Sequence, residues 1–412
     1  MGSRSRRRVA IVLAGGGARG AYEAGVLSHL FESLYPRLGP GFEFDLVSGT
    51  SVGAIHAAYL AATAGLIGAD RSHPLLDTWR RMQVRDVLHL SARDLLGVPL
   101  RALGLTRLAR RTRGGGPADA VGGLVDLSPL ERTVSERLPW ERLPANLAAA
   151  RPGALCVSCT EVRSGRVVVF MDGPLADPAP WAYDPNAFAV RAAITAGHVR
   201  ASAAIPFLFP AVRIGDRYYV DGGLRMNTPL SPALRLGADR VLVIALKHAP
   251  GLAAGAPAYP EEVITQPAFL LGKVLNALLL DQLEYELQRV GLVNAWIEQG
   301  AKAYGEAFLD TINVAVRARR GAGYRHVRVV TIRPSRDVGG MAGECYRSGG
   351  GRGSMGALPA LLTRLALRGV PDDEADLLSY LLFDACFTSH LADLGREDAR
   401  AHEDEILALL GD

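Results

Sequence analysis

The feature that most constrains the fold of this chain is a strand, a glycine-rich turn and a helix that follow one another twice near the N-terminus. In the first copy, a β-branched run at residues 9–13 leads into three glycines at 15–17 and then into apolar residues at helical spacing. In the second copy, residues 42–47 lead into Gly-Thr-Ser-Val-Gly at 49–53 and then into an apolar helix. Strands that alternate with helices are typical of a mostly parallel sheet. We therefore expect an α/β fold.

The second glycine turn has the pattern of a nucleophile elbow, Gly-x-Ser-x-Gly between a strand and a helix. On so tight a turn, side chains two residues before and after the serine would collide, and glycines at 49 and 53 avoid this. The helix N-terminus that follows favours negative charge that develops near the serine. Ser51 is thus a candidate nucleophile, with Gly49 and Gly53 forming the elbow. The alternative is an ordinary glycine turn.

The first glycine turn, Gly-Gly-Gly-Ala-Arg-Gly at residues 15–20, offers consecutive backbone N–H groups at the start of a helix. Such groups stabilise an oxyanion during ester hydrolysis. A phosphate-binding loop is the competing interpretation, but neither the Walker pattern nor a ribose-binding acid accompanies the glycines. From these residues alone, both interpretations stay open.

A nucleophilic serine needs a base, and the sequence favours an aspartate over a histidine. None of the nine histidines lies in a loop context that distinguishes it, and no pair has the spacing of zinc ligands. Asp221 follows a strand end, and Gly222 and Gly223 allow its backbone to approach another segment closely. The alternative role is a turn aspartate with an Asx hydrogen bond. Partial burial would raise the pKa of this carboxyl toward the range that a general base requires.

Taken together, the motifs at residues 15–20, 49–53 and 221–223 resemble, in that order, those of the patatin-like phospholipase family. The runs at residues 200–206 and 227–230 also match the style of that family.

The resemblance extends over roughly residues 8–250 and implies a three-layer α/β/α fold with a mostly parallel central sheet. It also implies a lipid acyl hydrolase that uses a Ser–Asp dyad without histidine, a metal or a cofactor. Carried over position by position, Ser51 would be the nucleophile and Asp221 the general base. The amides of the first glycine loop would form the oxyanion hole: Gly15, Gly16, Gly17, Ala18 and Arg19.

Four residues near these motifs have two interpretations each. The Arg19 side chain either anchors a phosphate head group or braces its loop. His56 stands where family members often carry asparagine, and we interpret it as a hydrogen-bonded helix residue. Cys156 and Cys159 have a Cys-x-x-Cys spacing, but an offset of three on a strand points them to opposite faces. Two buried structural thiols are therefore expected rather than a redox or zinc site.

Composition bounds the class of protein. Hydrophobic residues make up 49% and charged residues 21%, which excludes a predominantly disordered chain. A net charge of +4 does not mark a nucleic-acid binder. Four cysteines in a chain of this length exclude a disulfide scaffold and suggest a reducing compartment. We expect no secretory signal, a cytoplasmic location, and peripheral contact with the membrane that carries the lipid substrate.

Two other segments bear on membrane contact. The charge-free stretch at residues 52–69 is long enough to raise the question of a membrane span, but its alanines, glycines and tight preceding turn favour a buried helix. An arginine-rich run at 107–113, with leucines before it, is either a lid that touches anionic lipid or a solvated helix face above core leucines.

We expect a basic arm over residues 1–8 and a catalytic domain over 9–335, with a helical insert at about 70–125 and a helical extension at about 250–325. A glycine-rich linker and a helical C-terminal tail would follow over 336–412. Within the domain, the patterns predict a hairpin over 155–170 and a helix over 190–202. They also predict a helix over 271–290 that ends at Gly291, and a last strand over 327–332.

The leading hypothesis is a lipid acyl hydrolase that cleaves fatty-acyl esters of phospholipids or lysophospholipids through an acyl-enzyme intermediate. Two alternatives remain. One is an acyltransferase on the same core that passes the acyl group to an alcohol or thiol. The other is a non-enzymatic scaffold that binds a partner through its C-terminal helices.

Overall fold

The computed structural model of the chain describes residues 7–39, 41–87, 120–121, 128–206, 209–248, 283–349 and 376–411. Within these ranges ten strands form one sheet. The strands are β1 (Val9–Leu13), β2 (Leu46–Thr50), β3 (Ala120–Val121), β4 (Ala154–Glu161), β5 (Val167–Asp172), β6 (Ala187–Arg191), β7 (Ala211–Ile214), β8 (Arg217–Asp221), β9 (Arg240–Ile244) and β10 (Arg328–Ile332).

Helices cover both faces of the sheet. The α-helices of the described ranges are α1 (Gly20–His29), α2 (Tyr35–Leu38), α3 (Val52–Ala62), α4 (Ala69–Arg81), α5 (Val84–Val87), α6 (Ser128–Arg137), α7 (Leu143–Ala148), α8 (Ala196–Ser202), α9 (Gly223–Met226), α10 (Leu230–Arg235), α11 (Leu283–Tyr304), α12 (Phe308–Arg320), α13 (Val338–Arg347), α14 (Asp376–Leu381), α15 (Ala385–Ala401) and α16 (Glu403–Leu410). Short 3-10 helices lie at Gly17–Arg19, Trp140–Arg142 and Ala179–Trp181, and a π-helical segment, Leu30–Leu34, joins α1 to α2.

The centre of the sheet is parallel. Its order is β10-β9-β1-β2-β4-β8-β7-β3, and β5 pairs with β4 and β6 beside this path. The strands from β10 to β4 run parallel to one another, whereas β8, β7 and β3 extend the sheet in antiparallel fashion. The expected mostly parallel α/β sheet is therefore confirmed.

Strand β4 shares one edge between two partners. Its first part pairs with β2, up to Thr50 opposite Ser158. Its last part pairs with β8, beginning at Cys159 opposite Asp221. The other edge of β4 is occupied along the same length by β5, so β2 and β8 must lie on the same side. The C-terminal ends of β2 and β8 consequently meet at neighbouring positions of β4.

The two faces of the sheet bury separate hydrophobic clusters. Along β1, Ile11 and Leu13 belong to one cluster, while Ala10 and Val12 belong to the other. This alternation is the period-two pattern of a strand that is covered on both sides. The structure thus has the expected three layers, α/β/α.

The expected positions of the two strand cysteines are confirmed. Both are free and buried. Cys159 contributes to the same cluster as Ile11, and Cys156 to the cluster on the opposite face.

The C-terminal helices pack into the core of the catalytic region. Phe387, Leu391 and Leu394 of α15 share the cluster that contains Leu13. Helices α1 and α15 cross so closely that a Cβ placed on Gly25 would lie 2.0 Å from the carbonyl oxygen of Ala392. The region predicted as a C-terminal tail therefore covers α1, and its helices are buried on one side.

Helix α3 is the expected buried helix at residues 52–69, and it ends earlier, at Ala62. Nearly all of its residues are buried in the core cluster. Among the helices that the structure describes, none combines the length and apolarity needed to cross a bilayer.

Two other helix predictions need correction. The predicted helix over residues 190–202 is wrong in its first half, because Ala187–Arg191 is a strand that pairs with β5. The helix begins only at Ala196, where Thr195 and His198 form a capping box. Pairing at the sheet outweighs the helix propensity of the alanines here.

The predicted end at Gly291 is also wrong, because α11 continues to Tyr304. A Cβ at Gly291 would meet no atom within 4 Å. A solvent-facing glycine inside a helix costs only about 1 kcal/mol, which a long helix tolerates. Residues 271–282 lie outside the described part of the chain, as do the run at 107–113 and most of the basic arm.

The hairpin over residues 155–170 and the last strand are confirmed as β4–β5 and β10. One feature was not expected, a disulfide between Cys345 on α13 and Cys386 on α15. With Asp384, these sulfurs form a group of donor atoms close enough to hold a metal, but the disulfide already joins two of the three.

The close crossing of α1 and α15 yields a stability prediction. We expect Gly25→Ala to destabilise the protein by about 1–3 kcal/mol, because the added methyl group overlaps the Ala392 carbonyl. Gly291→Ala is the matched control, because it makes the same change in a helix interior with open space around it. We expect the control to gain up to about 1 kcal/mol from helix propensity. Thermal unfolding of the two variants measures both effects, and a Gly25→Ala protein as stable as the control would contradict the close crossing.

Candidate active site

Ser51 lies on a strained turn between β2 and α3. Its backbone has φ 55° and ψ −124°, a left-handed conformation that non-glycine residues rarely adopt. A Cβ on Gly49 would lie 2.1 Å from the carbonyl oxygen of Gly53, and a Cβ on Gly53 would lie 2.3 Å from that of Leu13. Only glycine fits at these two positions, and the turn holds the serine side chain clear of the sheet.

Asp221 receives the hydrogen bond of this serine. Ser51 Oγ donates to Asp221 Oδ2 at 2.7 Å, although the two residues are 170 positions apart. The two side chains are nearly inaccessible, at 5% and 1% exposure. The structure therefore brings together the two residues that the sequence predicted as nucleophile and base.

Burial changes the acidity of the Asp221 carboxyl. Loss of solvent raises its pKa from 3.8 to about 7, although hydrogen bonds from Ser51 Oγ and the Gly223 amide lower it. The Gly223 N–H donates to Oδ1 at 2.6 Å. Among the described residues, no cation forms an ion pair with this carboxylate. The geometry thus places a weakly acidic carboxyl, with a pKa near neutral pH, in contact with the serine hydroxyl.

A second serine, Ser202, orients the turn from the end of α8. Its Oγ accepts a hydrogen bond from the Ser51 amide at 2.9 Å and donates one to the Ser158 carbonyl of β4 at 2.6 Å. The nucleophile is therefore tied through Ser202 to the strand that aligns it with Asp221. Ser202 lies in the run at residues 200–206, which carried part of the resemblance but had been given no role.

The first glycine loop lies directly against the nucleophile. A Cβ on Gly15 would stand 3.1 Å from Ser51 Cβ. The Gly15 amide donates to the Asn227 carbonyl at 2.9 Å, and Asn227 Nδ2 donates back to the Gly15 carbonyl at 3.1 Å. Asn227 is thus the residue that docks the loop, a function that its sequence context did not reveal.

The amides of this loop differ in what they already bind. The Arg19 N–H donates to the Gly16 carbonyl at 3.1 Å, the first hydrogen bond of the following helical turn. The amides of Gly16, Gly17 and Ala18 precede that bond, and helix N-termini leave such donors available. Gly17 has φ +57° and also lines the cavity that opens at Ser51.

The Arg19 side chain is turned into the protein. It is 2% exposed, and its Nε donates to Ser379 Oγ at 2.8 Å. Its guanidinium lies 4.3 Å from the centre of the Tyr380 ring, and Nη1 is 3.4 Å from the Leu246 carbonyl oxygen. Of the two interpretations of Arg19, these contacts favour the one in which it braces its loop.

An apolar cavity of about 80 Å³ extends from Ser51. Its wall is built by α3, α4, α6 and the C-terminal segment, and includes Ile55, Trp79, Leu138, Ile205 and Phe383. The C-terminal segment, although it lies far outside the resemblance, therefore forms part of the same site.

His56 lines this cavity but belongs to a buried hydrogen-bonded chain. Trp79 Nε1 donates to His56 Nε2 at 2.9 Å, so the ring proton is on Nδ1, which lies 2.7 Å from Glu23 Oε2. Burial lowers the pKa of His56 to about 3 and raises that of Glu23 well above its usual value. His56 is therefore a neutral helix residue, as the sequence indicated.

Comparison with known proteins supports the family resemblance that the three motifs indicated. A family model described as patatin-like phospholipase matches residues 11–234. The chain is 26% identical over 223 residues to the uncharacterized protein YqhO of Bacillus subtilis (strain 168). The matched region covers 53% of this chain and 64% of YqhO. The chain is also 28% identical over 223 residues to the uncharacterized NTE family protein MT2641 of Mycobacterium tuberculosis (strain CDC 1551 / Oshkosh). The matched region covers 54% of this chain and 27% of MT2641. The chain thus spans less than two thirds of the length of either relative.

Among solved structures, the chain is similar to VipD from Legionella pneumophila, with a TM-score of 0.33 and 14% sequence identity. That similarity covers 94% of this chain and 67% of the VipD chain.

The raised pKa of Asp221 yields a prediction about stability and pH. The unfolded carboxyl ionises near pH 3.8 and the folded one near pH 7, so the folded state loses stability as the pH rises between these values. Asp221→Asn removes this loss. We expect the variant to gain stability over the wild type, and to gain more at pH 8.5 than at pH 5 by on the order of 2 kcal/mol.

Unfolding in denaturant at the two pH values measures the difference. The matched control is Asp216→Asn, which changes an aspartate that is 92% exposed in the turn between β7 and β8. The control should follow the wild type at both pH values. If Asp221→Asn gained the same stability at both pH values, burial would not shift the pKa of this carboxyl.

Proposed function

Because the chain belongs to the patatin-like phospholipase family, a family of lipid acyl hydrolases, we propose that it hydrolyses fatty-acyl esters of phospholipids or lysophospholipids with Ser51 and Asp221. The observation that carries the proposal is the 2.7 Å hydrogen bond from Ser51 Oγ to Asp221 Oδ2 in a buried site. A nucleophile and a base in hydrogen-bond contact are what acyl transfer to a serine requires.

In the first half of the proposed reaction, Asp221 accepts the Ser51 proton while Oγ attacks the carbonyl carbon of the ester. The tetrahedral intermediate carries its negative charge on the former carbonyl oxygen. When it collapses, the bond to the alcohol oxygen breaks and the proton on Asp221 passes to that oxygen. The leaving alcohol is the lysophospholipid, or the glycerophosphodiester where the substrate is a lysophospholipid, and the fatty acyl group stays on Ser51.

In the second half, Asp221 accepts a proton from water as the water attacks the acyl-serine. Collapse of this intermediate returns the proton to Ser51 Oγ and releases the fatty acid. A base whose pKa is about 7 suits both halves, because it is ionised near neutral pH and still holds a proton well enough to deliver it.

We place the oxyanion at the amides of Gly16, Gly17 and Ala18. These groups lie at the start of a helical turn whose dipole favours negative charge. The amides of Gly15 and Arg19, which were also expected to contribute, already donate to Asn227 and Gly16. In this proposal those two residues hold the shape of the loop, while the three amides between them bind the charge.

The apolar character of the cavity beside Ser51 suits the acyl part of the substrate, although its volume of about 80 Å³ holds only a short part of a fatty-acyl chain. Most of its wall consists of aliphatic and aromatic side chains. The charged side chain among the described lining residues, Arg137, is exposed. The head group would therefore stay outside the cavity, at the lipid surface from which the substrate comes. This arrangement supports peripheral contact with a membrane, for which we propose the cytoplasmic side.

We expect Ser51→Ala and Asp221→Asn each to lower ester hydrolysis at least about a thousandfold, because each removes one half of a unit that acts together. Release of fatty acid from phospholipid vesicles and from a p-nitrophenyl ester measures the loss. In the wild type, kcat/KM should rise with pH and level off above about 7, as Asp221 ionises. A fluorophosphonate should label the wild type and not Ser51→Ala.

The matched controls are Ser164→Ala and Asp216→Asn, which change exposed residues in nearby turns. Both should keep wild-type activity. Full activity in folded Ser51→Ala or Asp221→Asn would disprove the dyad. Product that forms only when an alcohol or thiol acceptor is added, with little free acid, would identify an acyltransferase instead.

The contacts of Arg19 lead to a separate prediction. If Arg19 braces the loop, Arg19→Lys should lower kcat by about ten- to a hundredfold, because small displacements of catalytic donors are costly. The loss should be the same for a phospholipid and for a p-nitrophenyl ester that has no phosphate. Ser379→Ala removes the acceptor of the Nε hydrogen bond and should cause part of the same loss. A loss confined to the phospholipid would show that Arg19 binds the head group.

A further inference from the structure

A second cavity, of about 790 Å³, lies on the face of the sheet opposite to the cavity at Ser51. Its wall includes Val167, Ala187 and Val327, which belong to the hydrophobic cluster of Ala10 and Val12. The cavity at Ser51 is lined by the other cluster, and the two linings share no residue. The second cavity is therefore a separate feature, to which the proposed hydrolysis assigns no role.

This cavity, which we name the arginine cavity, is rich in positive charge. Among the described residues that line it are five arginines, Arg225, Arg235, Arg289, Arg320 and Arg325. Only two carboxyl groups, those of Asp184 and Glu286, line it as well. The lining thus carries an excess of three positive charges.

Two of the five arginines are held by the protein itself. Arg235 forms an ion pair with Asp184 at 2.5 Å and also donates to backbone carbonyls. Arg325 donates to the Gly237 carbonyl at 2.8 Å and lies 3.7 Å from an Asp239 carboxylate oxygen. These two side chains build the wall.

The other three arginines have no ion-pair partner among the described residues. Among the described residues, no carboxylate lies within ion-pair distance of Arg225, Arg289 or Arg320. The Arg320 guanidinium lies 5.2 Å from the centre of the Tyr324 ring. Asp184 interacts with Arg320 electrostatically but forms its ion pair with Arg235.

The arginines are close enough to repel one another. Burial lowers the pKa of Arg320, and the charges of Arg235 and Arg289 lower it further. Burial also lowers the pKa of Arg235, where Asp184 opposes the shift and Arg289 adds to it. Like charges held together in a partly enclosed space destabilise a fold unless an anion compensates them.

A carboxyl group in the same cavity also lacks a partner. Glu286 Oε2 is buried with no hydrogen bond among the described residues. Burial raises the pKa of Glu286 to about 7, although Arg289 opposes the shift. This carboxyl is thus a weak counter-charge for the arginines, and its oxygen stands ready for a polar ligand.

The rest of the wall is apolar. Leu224, Leu234, Val290 and Val293 line the cavity beside the arginines. The volume of about 790 Å³ falls within the range of about 300–1,000 Å³ typical of sites for small organic ligands. A ligand that fills it would carry both negative charge and an organic part.

We propose that the arginine cavity binds an organic phosphate, with the phosphate at Arg289 and Arg320 and the organic part against the apolar wall. Guanidinium groups bind phosphate oxygens through paired hydrogen bonds, and a phosphate monoester carries close to two negative charges near neutral pH. Such a group matches the charge excess better than a single carboxylate. Two sources share this chemistry, a nucleotide and an anionic lipid head group.

Isothermal titration calorimetry of the full-length Ser51→Ala protein at low salt tests the proposal without hydrolysis of the ligand. The probes are ATP, monomeric dihexanoyl phosphatidic acid and inorganic pyrophosphate. The test variant adds Arg289→Glu and Arg320→Glu. The matched control adds Lys302→Glu and Arg319→Glu, which make the same change of charge on the same two helices at positions that do not line the cavity.

We expect one of the two organic probes to bind, and to bind at least tenfold more tightly than pyrophosphate. Its affinity should fall at least tenfold in the test variant and by less than threefold in the control. ATP as that probe identifies a nucleotide site, and phosphatidic acid identifies a lipid head-group site. No binding of either organic probe would overturn the proposal, and so would an equal loss in the control or pyrophosphate binding as tightly as the organic probe.

Folding is checked in versions of the test and control proteins that retain Ser51, through thermal unfolding and hydrolysis of a p-nitrophenyl ester. Hydrolysis should not change, because Arg289 and Arg320 do not line the cavity at Ser51. The unfolding temperature should not fall, because the charge reversals remove repulsion among the arginines. Should the charge reversals unfold the protein, Arg289→Gln with Arg320→Gln replaces them and should still weaken binding at least fivefold.

Discussion

The geometry of the candidate active site depends on one edge of β4, which pairs with two other strands. Because β4 pairs first with β2 and then with β8, the residue after Thr50 and the residue opposite Cys159 become neighbours. A separation of 170 residues along the chain is thereby reduced to a 2.7 Å hydrogen bond between Ser51 and Asp221. Ser202 fastens the turn to β4 at the same level, through the Ser158 carbonyl. Parallel and antiparallel pairing on a single edge is thus the arrangement from which the site follows.

Burial raises the pKa of the proposed base, Asp221, and it also lowers the stability of the fold at high pH. Loss of solvent brings the pKa of Asp221 to about 7. Above that pH the buried side chain is an ionised carboxylate, which lowers the free energy of unfolding. The left-handed backbone of Ser51 is a second cost at the same turn. Extensive packing elsewhere offsets both, including the crossing of α1 and α15, where Gly25 and Gly395 allow backbone contact. The C-terminal helices therefore support the candidate active site by packing against the core as well as by bracing Arg19.

The features that the sequence predicted are set by local steric limits, whereas the features that it did not predict are set by contacts between distant residues. The elbow, the first glycine loop and Asp221 could be recognised because steric limits on tight turns leave few residue choices there, and those choices are visible in a single sequence. Ser379 and Tyr380 could not be recognised, because a serine and a tyrosine are ordinary residues whose role exists only through a contact 360 positions away. The helix boundary at Ala196 was missed for a similar reason, since pairing between β5 and β6 decided it rather than local propensity.

The two cavities have opposite character, and one short segment of the chain connects the wall of the arginine cavity to the turns around Ser51. Arg225 and Met226 line the arginine cavity. The Met226 carbonyl accepts the hydrogen bond of Thr50 Oγ1 at 2.8 Å, and the next carbonyl, that of Asn227, accepts from the Gly15 amide at 2.9 Å. One turn of backbone therefore lines the arginine cavity on one side and, on the other, accepts hydrogen bonds from both the elbow and the first glycine loop. A ligand of the arginine cavity that shifted these carbonyls would alter the distance between Ser51 and the amides of the first glycine loop. In the proposed reaction, an acyl group on Ser51 would then alter the affinity of the arginine cavity in return.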